Sequence, residues 1–142
     1  MSVAVIIVNY NSAALLSRCL KSLSEQTLCA EEIVIVDNAS TEADSHSLLN
    51  AFSSATVIRS EKNLGYGAAI NLAVSKIDTT EFIVCLNPDA FPEPDWLKNI
   101  VKSAGDHPEY GSFASLMLRD DDPSIIDGAG DELHFTGIPW RR

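Results

Sequence analysis

Val3-Ala4-Val5-Ile6-Ile7-Val8 is followed at once by Asn9-Tyr10-Asn11-Ser12. The first stretch is wholly apolar and mostly β-branched, which reads as a strand buried on both faces, as inside a parallel sheet. The polar break ends the strand, and Ser12 is placed to cap a helix over residues 13–24. In that helix Leu16, Leu20 and Leu23 share one face with Cys19 beside them, while Arg18, Lys21 and Ser22 lie elsewhere. A buried strand, a polar turn and a one-sided helix are the opening of an α/β unit.

The unit repeats along the chain. Residues 32–36 are a second strand, closed by Asp37-Asn38-Ala39-Ser40-Thr41 and followed by a helix over 44–52. Residues 55–59 are a weaker third strand, after which the loop 60–64 leads through Gly65-Tyr66-Gly67 into a helix reaching about Lys76. Phe82-Ile83-Val84-Cys85-Leu86 is a fourth strand, closed by Asn87-Pro88-Asp89. Pro92 and Pro94 keep the next stretch irregular until a helix resumes near Asp95, a candidate cap, and runs to about Gly105. This order predicts an α/β sandwich, Rossmann-like, with a mainly parallel sheet. Beyond it, residues 110–118 suit a strand, residues 119–123 an acidic turn, and Ile125-Ile126 a short apolar pair; no pattern is clear from Gly128 onward.

The chain has 142 residues with 20 acidic side chains against 10 basic ones, a net charge of −10. Its length suits a single domain with a real core. Its acidity argues against nucleic acid as a partner, because phosphates must be met by Lys and Arg. No apolar run approaches the roughly 20 residues that span a bilayer, and the first strand is too short and lacks the basic start of a signal peptide. The expected location is therefore the cytoplasm. Cys19, Cys29 and Cys85 form neither a disulfide framework nor a zinc pattern and are expected to be reduced thiols, buried or partly buried. His46, His107 and His134 are scattered and read as surface or turn residues, and Asp120-Asp121-Asp122 as a solvated turn.

In an open parallel sheet, ligands bind beyond the carboxyl ends of the strands. Those ends carry Asn9, Tyr10 and Asn11, then Asp37 and Asn38, then Asn63 with the Gly65 and Gly67 loop, then Asn87 and Asp89. This set suits a nucleotide. Tyr10 can pack on a ring, and Asp37 and the amides can read a base edge or a ribose hydroxyl. The glycines permit close backbone approach ahead of a helix N-terminus, which favours anions. An acidic chain would repel a diphosphate, and a divalent cation held by Asp89 would bridge the two. Gly65-Tyr66-Gly67-Ala68-Ala69-Ile70 half matches a dinucleotide fingerprint. However, Ile70 stands where Gly or Ala belongs, the glycines follow a loop, and the unit is the third rather than the first.

Taken together, Val5-Ile6-Ile7-Val8-Asn9-Tyr10-Asn11, the Leu15-to-Leu23 helix pattern and Ile33-Val34-Ile35-Val36-Asp37-Asn38-Ala39-Ser40-Thr41 resemble the start of a family 2 glycosyltransferase. Asn63-Leu64-Gly65-Tyr66-Gly67-Ala68-Ala69-Ile70-Asn71 and Leu86-Asn87-Pro88-Asp89 continue the match in order, similar to a rhamnosyltransferase-like subgroup of cell-surface polysaccharide synthesis. The resemblance implies a GT-A fold and a nucleotide-diphosphate sugar donor, a dTDP-rhamnose or a UDP-sugar. It implies inversion and transfer to a saccharide or lipid-linked acceptor, the latter bringing the chain to the inner membrane face as a peripheral partner. It implies that Asn9, Tyr10, Asn11, Asp37 and Asn38 line the nucleoside pocket and that Asn63, Gly65 and Gly67 close over it. Asn87-Pro88-Asp89 stands in place of an Asp-x-Asp motif, with Asp89 as the contact for Mg²⁺ or Mn²⁺ and Asn87 a departure that brings no charge. The base that takes the acceptor's proton belongs to a later acidic motif; nothing after Asp131 resembles it, so the catalytic base is unassigned. The chain thus reads as a donor-binding half, cut on its C-terminal side, poorly active, and prone to self-association through uncovered apolar surface. The alternative is a nucleotide-binding module of the same fold without catalysis.

Overall fold

Residues 2–41, 54–78, 80–133, 136 and 138–141 are described in the computed structural model. The helix expected over 44–52, together with His46 and His134, lies outside them. Strands β1 (Val3–Asn9), β2 (Glu32–Asp37), β3 (Thr56–Arg59) and β4 (Phe82–Leu86) form one sheet in the order β3-β2-β1-β4. Every pairing in it is parallel. Parallel pairing puts all four carboxyl ends on one edge, and the register sets Asn9 beside Asp37 and Asp37 beside Arg59. β1 is buried along its whole length, as its unbroken apolar run requires.

The two faces of the sheet carry separate cores. On one face Val3, Val5, Ile7, Ile35, Val84 and Leu86 pack with helix α1 (Ala13–Ser24), which contributes Leu16, Cys19, Leu20 and Leu23. On the other face Ile6, Val8, Val34 and Val36 pack with Ala69 and Ala73 of helix α2 (Tyr66–Val74). The small residues of α2 let it lie close on β1 and β2. β4 has one strand neighbour among the described residues, and its Ile83 and Cys85 are exposed on the α2 side. Burying one such aliphatic side chain is worth about 1.5–3 kcal/mol, so β1 and β2, buried on both faces, hold a large share of the apolar stabilisation.

One local expectation changes, at Ser12, whereas Asp95 stands where the sequence placed a cap. Ser12 stands at the N-cap of α1, but its Oγ donates to the Tyr10 carbonyl (3.0 Å) and makes no cap hydrogen bond. The hydroxyl tightens the Asn9–Ser12 turn instead. Asp95 directly precedes helix α3 (Trp96–Asp106), and its Oδ1 accepts from Thr27 Oγ1 (2.6 Å) and Lys98 Nζ (3.4 Å).

The chain divides into two compact units, one through Val101 and one from Lys102, with the boundary inside α3. The second unit holds two short antiparallel pairs, β5 (Met117–Leu118) with β6 (Ile126–Gly128) and β7 (Asp131–Leu133) with β8 (Pro139–Arg141). The strand expected over 110–118 shrinks to two residues, since Tyr110, Phe113 and Leu116 are exposed and give no buried face to organise one. The acidic turn is confirmed: Arg119 Nε donates to Asp121 Oδ1 (2.9 Å), and Asp122 Oδ1 accepts from the Ser124 N–H and hydroxyl. β7 and β8 carry no apolar alternation and were not expected. His107 is exposed at a turn against Glu109 and Tyr110, as read from the sequence.

Candidate functional site

The carboxyl edge of the sheet is a hydrogen-bonded assembly. The Asn38 N–H donates to the Asn9 carbonyl (2.8 Å), joining the ends of β1 and β2. Ser40 Oγ accepts from Asn9 Nδ2 (3.1 Å) and from the Asn11 N–H (3.0 Å), and the Ser40 N–H donates to Asp37 Oδ1 (3.2 Å). Asn11 Oδ1 accepts from the Thr41 N–H (2.8 Å). Asn38 then reaches the third strand's loop: its Nδ2 donates to Asn63 Oδ1 (3.0 Å) and its Oδ1 accepts from the Leu64 N–H (2.8 Å). Asn63 Oδ1 also accepts from the Gly65 N–H (2.9 Å). Gly65, at φ 79°, needs glycine to turn this loop into α2, whereas Gly67 lies within the helix with open space where a Cβ would stand.

Burial sorts these residues. Asn9 is fully buried, Asp37 is 2% exposed and Asn38 is 3% exposed. Buried polar groups persist only when hydrogen-bonded, and the network supplies the bonds. One atom stands out: Asn9 Oδ1 is buried and has no hydrogen-bond partner among the described residues. Such an orphan costs about 1–3 kcal/mol and marks a place where a water or ligand donor belongs. Tyr10 is 49% exposed at the rim of the same edge.

The fourth strand end is built differently. Asn87 and Asp89 are both exposed, and the Asp89 carboxylate has no hydrogen-bond partner among the described residues. Their loop is held from behind by α1 and the residues after it. Cys19 Sγ donates to the Asn87 carbonyl (3.7 Å), and the Arg18 guanidinium sits 3.7 Å above the Phe91 ring. Gln26 Nε2 donates to the Glu93 carbonyl (2.7 Å), and its Oε1 accepts from the Leu97 N–H (3.0 Å). Burial, and secondly the negative charge of Asp89, push the Cys19 thiol up to about 12, so it stays a neutral donor. Cys29 and Cys85 are exposed rather than buried, since neither lies on the core-facing side of a helix as Cys19 does on α1, and all three cysteines are free.

The structure therefore brings Asn9, Asn11, Asp37, Asn38, Asn63 and Gly65 into one network, with Tyr10 at its rim. Asn87 and Asp89 stand on the neighbouring β4 end. Residue-by-residue reading missed Ser40, Cys19 and Gln26. Ser40 had a local signal, since Asp37-Asn38-Ala39-Ser40 has the spacing of a side-chain-closed turn. Gln26 had only its position, a polar residue just past an amphipathic helix. A cleft of about 250 Å³ lined by Glu31, Glu32, Lys76, Asp78 and Thr80 lies at the opposite, amino edge, where no strand-end group converges.

Asp89 is a lone carboxylate, and no group of three or more His, Cys, Asp or Glu poised for a metal occurs among the described residues. One unpaired, exposed carboxylate fits a hard cation that takes its remaining oxygen ligands from phosphate and water. No described helix is long and apolar enough to cross a membrane.

Comparison with known proteins agrees with this geometry. An L-rhamnosyltransferase of Mycobacterium tuberculosis named for N-acetylglucosaminyl-diphospho-decaprenol is 25% identical over 135 residues, 88% of this chain and 44% of its own. A glycosyltransferase of Nostoc sp. is 31% identical over 93% of this chain and 42% of its own length. The solved mannosyltransferase of Pyrobaculum calidifontis, in complex with GDP-Man and Mn²⁺, superimposes with a TM-score of 0.69 at 28% identity, covering 86% of this chain and 37% of that one. The chain spans less than half the length of these relatives. The parallel sheet and its flanking helices are the α/β sandwich of GT-A glycosyltransferases. The family model described as glycosyl transferase family 2 matches residues 4–136, and the chain belongs to that family.

Proposed function

We propose that this chain is the donor-binding part of an inverting glycosyltransferase that takes its sugar from a nucleoside diphosphate. The observation that carries this is the network tying three strand ends into one rigid edge, with an exposed aromatic ring at its rim and an unpaired carboxylate on the next strand. Tyr10 stacks on the base, and Asp37 accepts from a base N–H. Asn63 and the Gly65 turn into α2, with Gly67 in the helix's first turn, close over the nucleoside, and Asn38 is their internal support. The N–H groups at the start of α2 favour the phosphates. Asn87 offers an amide to the ribose, and Asp89 holds the divalent cation. When bound, that cation, Mg²⁺ or Mn²⁺, stabilises the charge developing on the departing diphosphate. The Mn²⁺ and GDP-Man in the Pyrobaculum enzyme, and the UDP-GlcNAc in S. aureus TarS at 26% identity, support a nucleotide-sugar donor.

The mycobacterial relative's name supports a rhamnosyl donor and a lipid-linked acceptor. With such an acceptor the chain works at a membrane face. Attack by an acceptor hydroxyl needs a base to take its proton, and the donor side described here contributes the leaving-group half of that reaction. Calorimetric titration with UDP, dTDP and GDP, each with and without Mn²⁺, tests the reading. Metal-dependent binding of one nucleotide, lost in Asp89→Ala, is the expected result. Absence of binding to all three by the folded protein overturns it.

A further inference from the structure

We propose that Ser40 is a positioning residue that sets the slot between Tyr10 and Asp37, and through it the choice of nucleobase; the role rests on the nucleotide-binding reading above. Its side chain bridges two turns that are far apart in sequence. Ser40 Oγ accepts from Asn9 Nδ2 and from the Asn11 N–H, the residues on either side of Tyr10. The Ser40 N–H donates to the Asp37 carboxylate. One residue therefore touches both neighbours of the stacking ring and the acid that reads the base.

Nothing else described holds the Asn9 amide. Its Oδ1 is buried without a partner, and its Nδ2 donates to Ser40 alone. Asn11 and Ala39 both adopt left-handed backbone, at φ 50° and 67°. Non-glycine residues hold that conformation only where surrounding bonds over-determine it. The bonds at Asn11 are the Ser40 hydroxyl on its N–H and the Thr41 N–H and hydroxyl on its Oδ1. A hydroxyl has two lone pairs and one proton. Both lone pairs of Ser40 are engaged, so its proton remains free among the described residues to meet an acceptor such as a base carbonyl.

The test compares the wild-type chain, Ser40→Ala and Ser40→Thr by two readouts. The first is amide hydrogen exchange at Asn11 without nucleotide. The second is titration with UDP, dTDP and GDP in Mn²⁺. In Ser40→Ala, loss of one shared acceptor speeds Asn11 exchange about tenfold and weakens the preferred nucleotide about tenfold. Its lead over the other two narrows as well, and Ser40→Thr restores all three properties. A purely structural role weakens the three nucleotides alike and leaves their order and ratios intact, which overturns the proposal. Unchanged Asn11 exchange in Ser40→Ala overturns it without any nucleotide. A wild-type chain that binds none of the three removes the nucleotide reading, and the base-selecting role with it. If Ser40→Ala does not fold, Ser40→Cys keeps the volume with a weak acceptor and is read the same way.

Discussion

Asp37 and Asp89 close β2 and β4, the strands on either side of β1. Asp37 is 2% exposed and accepts from the Ser40 N–H, whereas Asp89 is exposed with no hydrogen-bond partner among the described residues. The contrast extends to their surroundings. Around Asp37, side chains from three loops bond to one another, so the edge is assembled before anything binds. Around Asp89, the fastening comes from behind, through Cys19, Arg18 and Gln26, and the carboxylate itself is left uncommitted. A flat base is selected by shape, which needs a rigid slot. A hydrated cation is bound by charge and supplies its own geometry, which a free carboxylate serves better.

The largest expected effect would come from breaking the assembled side. Asn38→Ala removes the bonds to Asn63 and to the Leu64 N–H. Asn63 is exposed and keeps the Gly65 N–H, so the half-buried Leu64 N–H is the group left unsatisfied. At about 1–3 kcal/mol for such a group, urea unfolding should show a loss of about 2 kcal/mol together with weaker nucleotide binding. A loss below about 1 kcal/mol would mean that the edge does not depend on this amide.

Asp89→Ala sharpens the other half of the comparison. An exposed, unpaired side chain should change stability by no more than about 0.5 kcal/mol. The gain in nucleotide affinity on adding Mn²⁺, about tenfold if one charged contact is at stake, should vanish. Metal dependence that survives the substitution would move the cation to another residue.

Alkaline pH probes the link behind Asp89. The Cys19 thiol is raised from 9.0 to about 12 by burial and by Asp89. Its contribution is therefore fully present below about pH 9 and is lost as pH rises toward the folded value. Unfolding free energies measured by urea from pH 8 to 10.5 should fall more steeply for the wild type than for Cys19→Ala, by at most about 1.4 kcal/mol per pH unit. Parallel curves would show that the thiol does not titrate between the two states.

The smallest effect concerns backbone strain. Ala39 sits at φ 67°, where a Cβ costs about 1–2 kcal/mol. Ala39→Gly relieves it but adds unfolded-state freedom of about 0.5–1 kcal/mol. A net gain of a few tenths to about 1 kcal/mol by chemical denaturation is expected, without change in nucleotide preference.

Legibility in the sequence followed the physics of burial. β1, β2 and β4 could be read because apolar runs closed by Asn or Asp have few other uses, and β3 only weakly, its Val57 and Ile58 standing between Thr56 and Arg59. α1 could be read because Leu16, Leu20 and Leu23 face one core. β5 could be read only as the end of a longer strand, and β6 to β8 not at all, since two- and three-residue strands with exposed Met117, Leu118 and Ile126 carry no periodic signal. The strand-end residues were legible because their position after each strand is a local fact. Ser40 carried a local signal only for its bond to Asp37, and Gln26 none, because the partners that define their roles lie 31 and 67 residues away in the chain. Ser12 failed for a related reason, a hydroxyl having two local carbonyl and amide targets that sequence alone does not rank.

The double anchorage of the segment after β4 has a consequence for how such a chain can change over time. Cys19 pins the segment at Asn87, and Gln26 pins it at Pro92, Glu93 and Leu97. Between the pins Ala90 and Phe91 pack against the core and Phe91 carries the Arg18 guanidinium, which leaves Pro88 and Asp89 as a short exchangeable insert in a fixed frame. Substitutions there can retune the charge offered to a cation while both pins hold the frame in register. Selection can therefore vary the chemistry of this corner without reopening the folding problem.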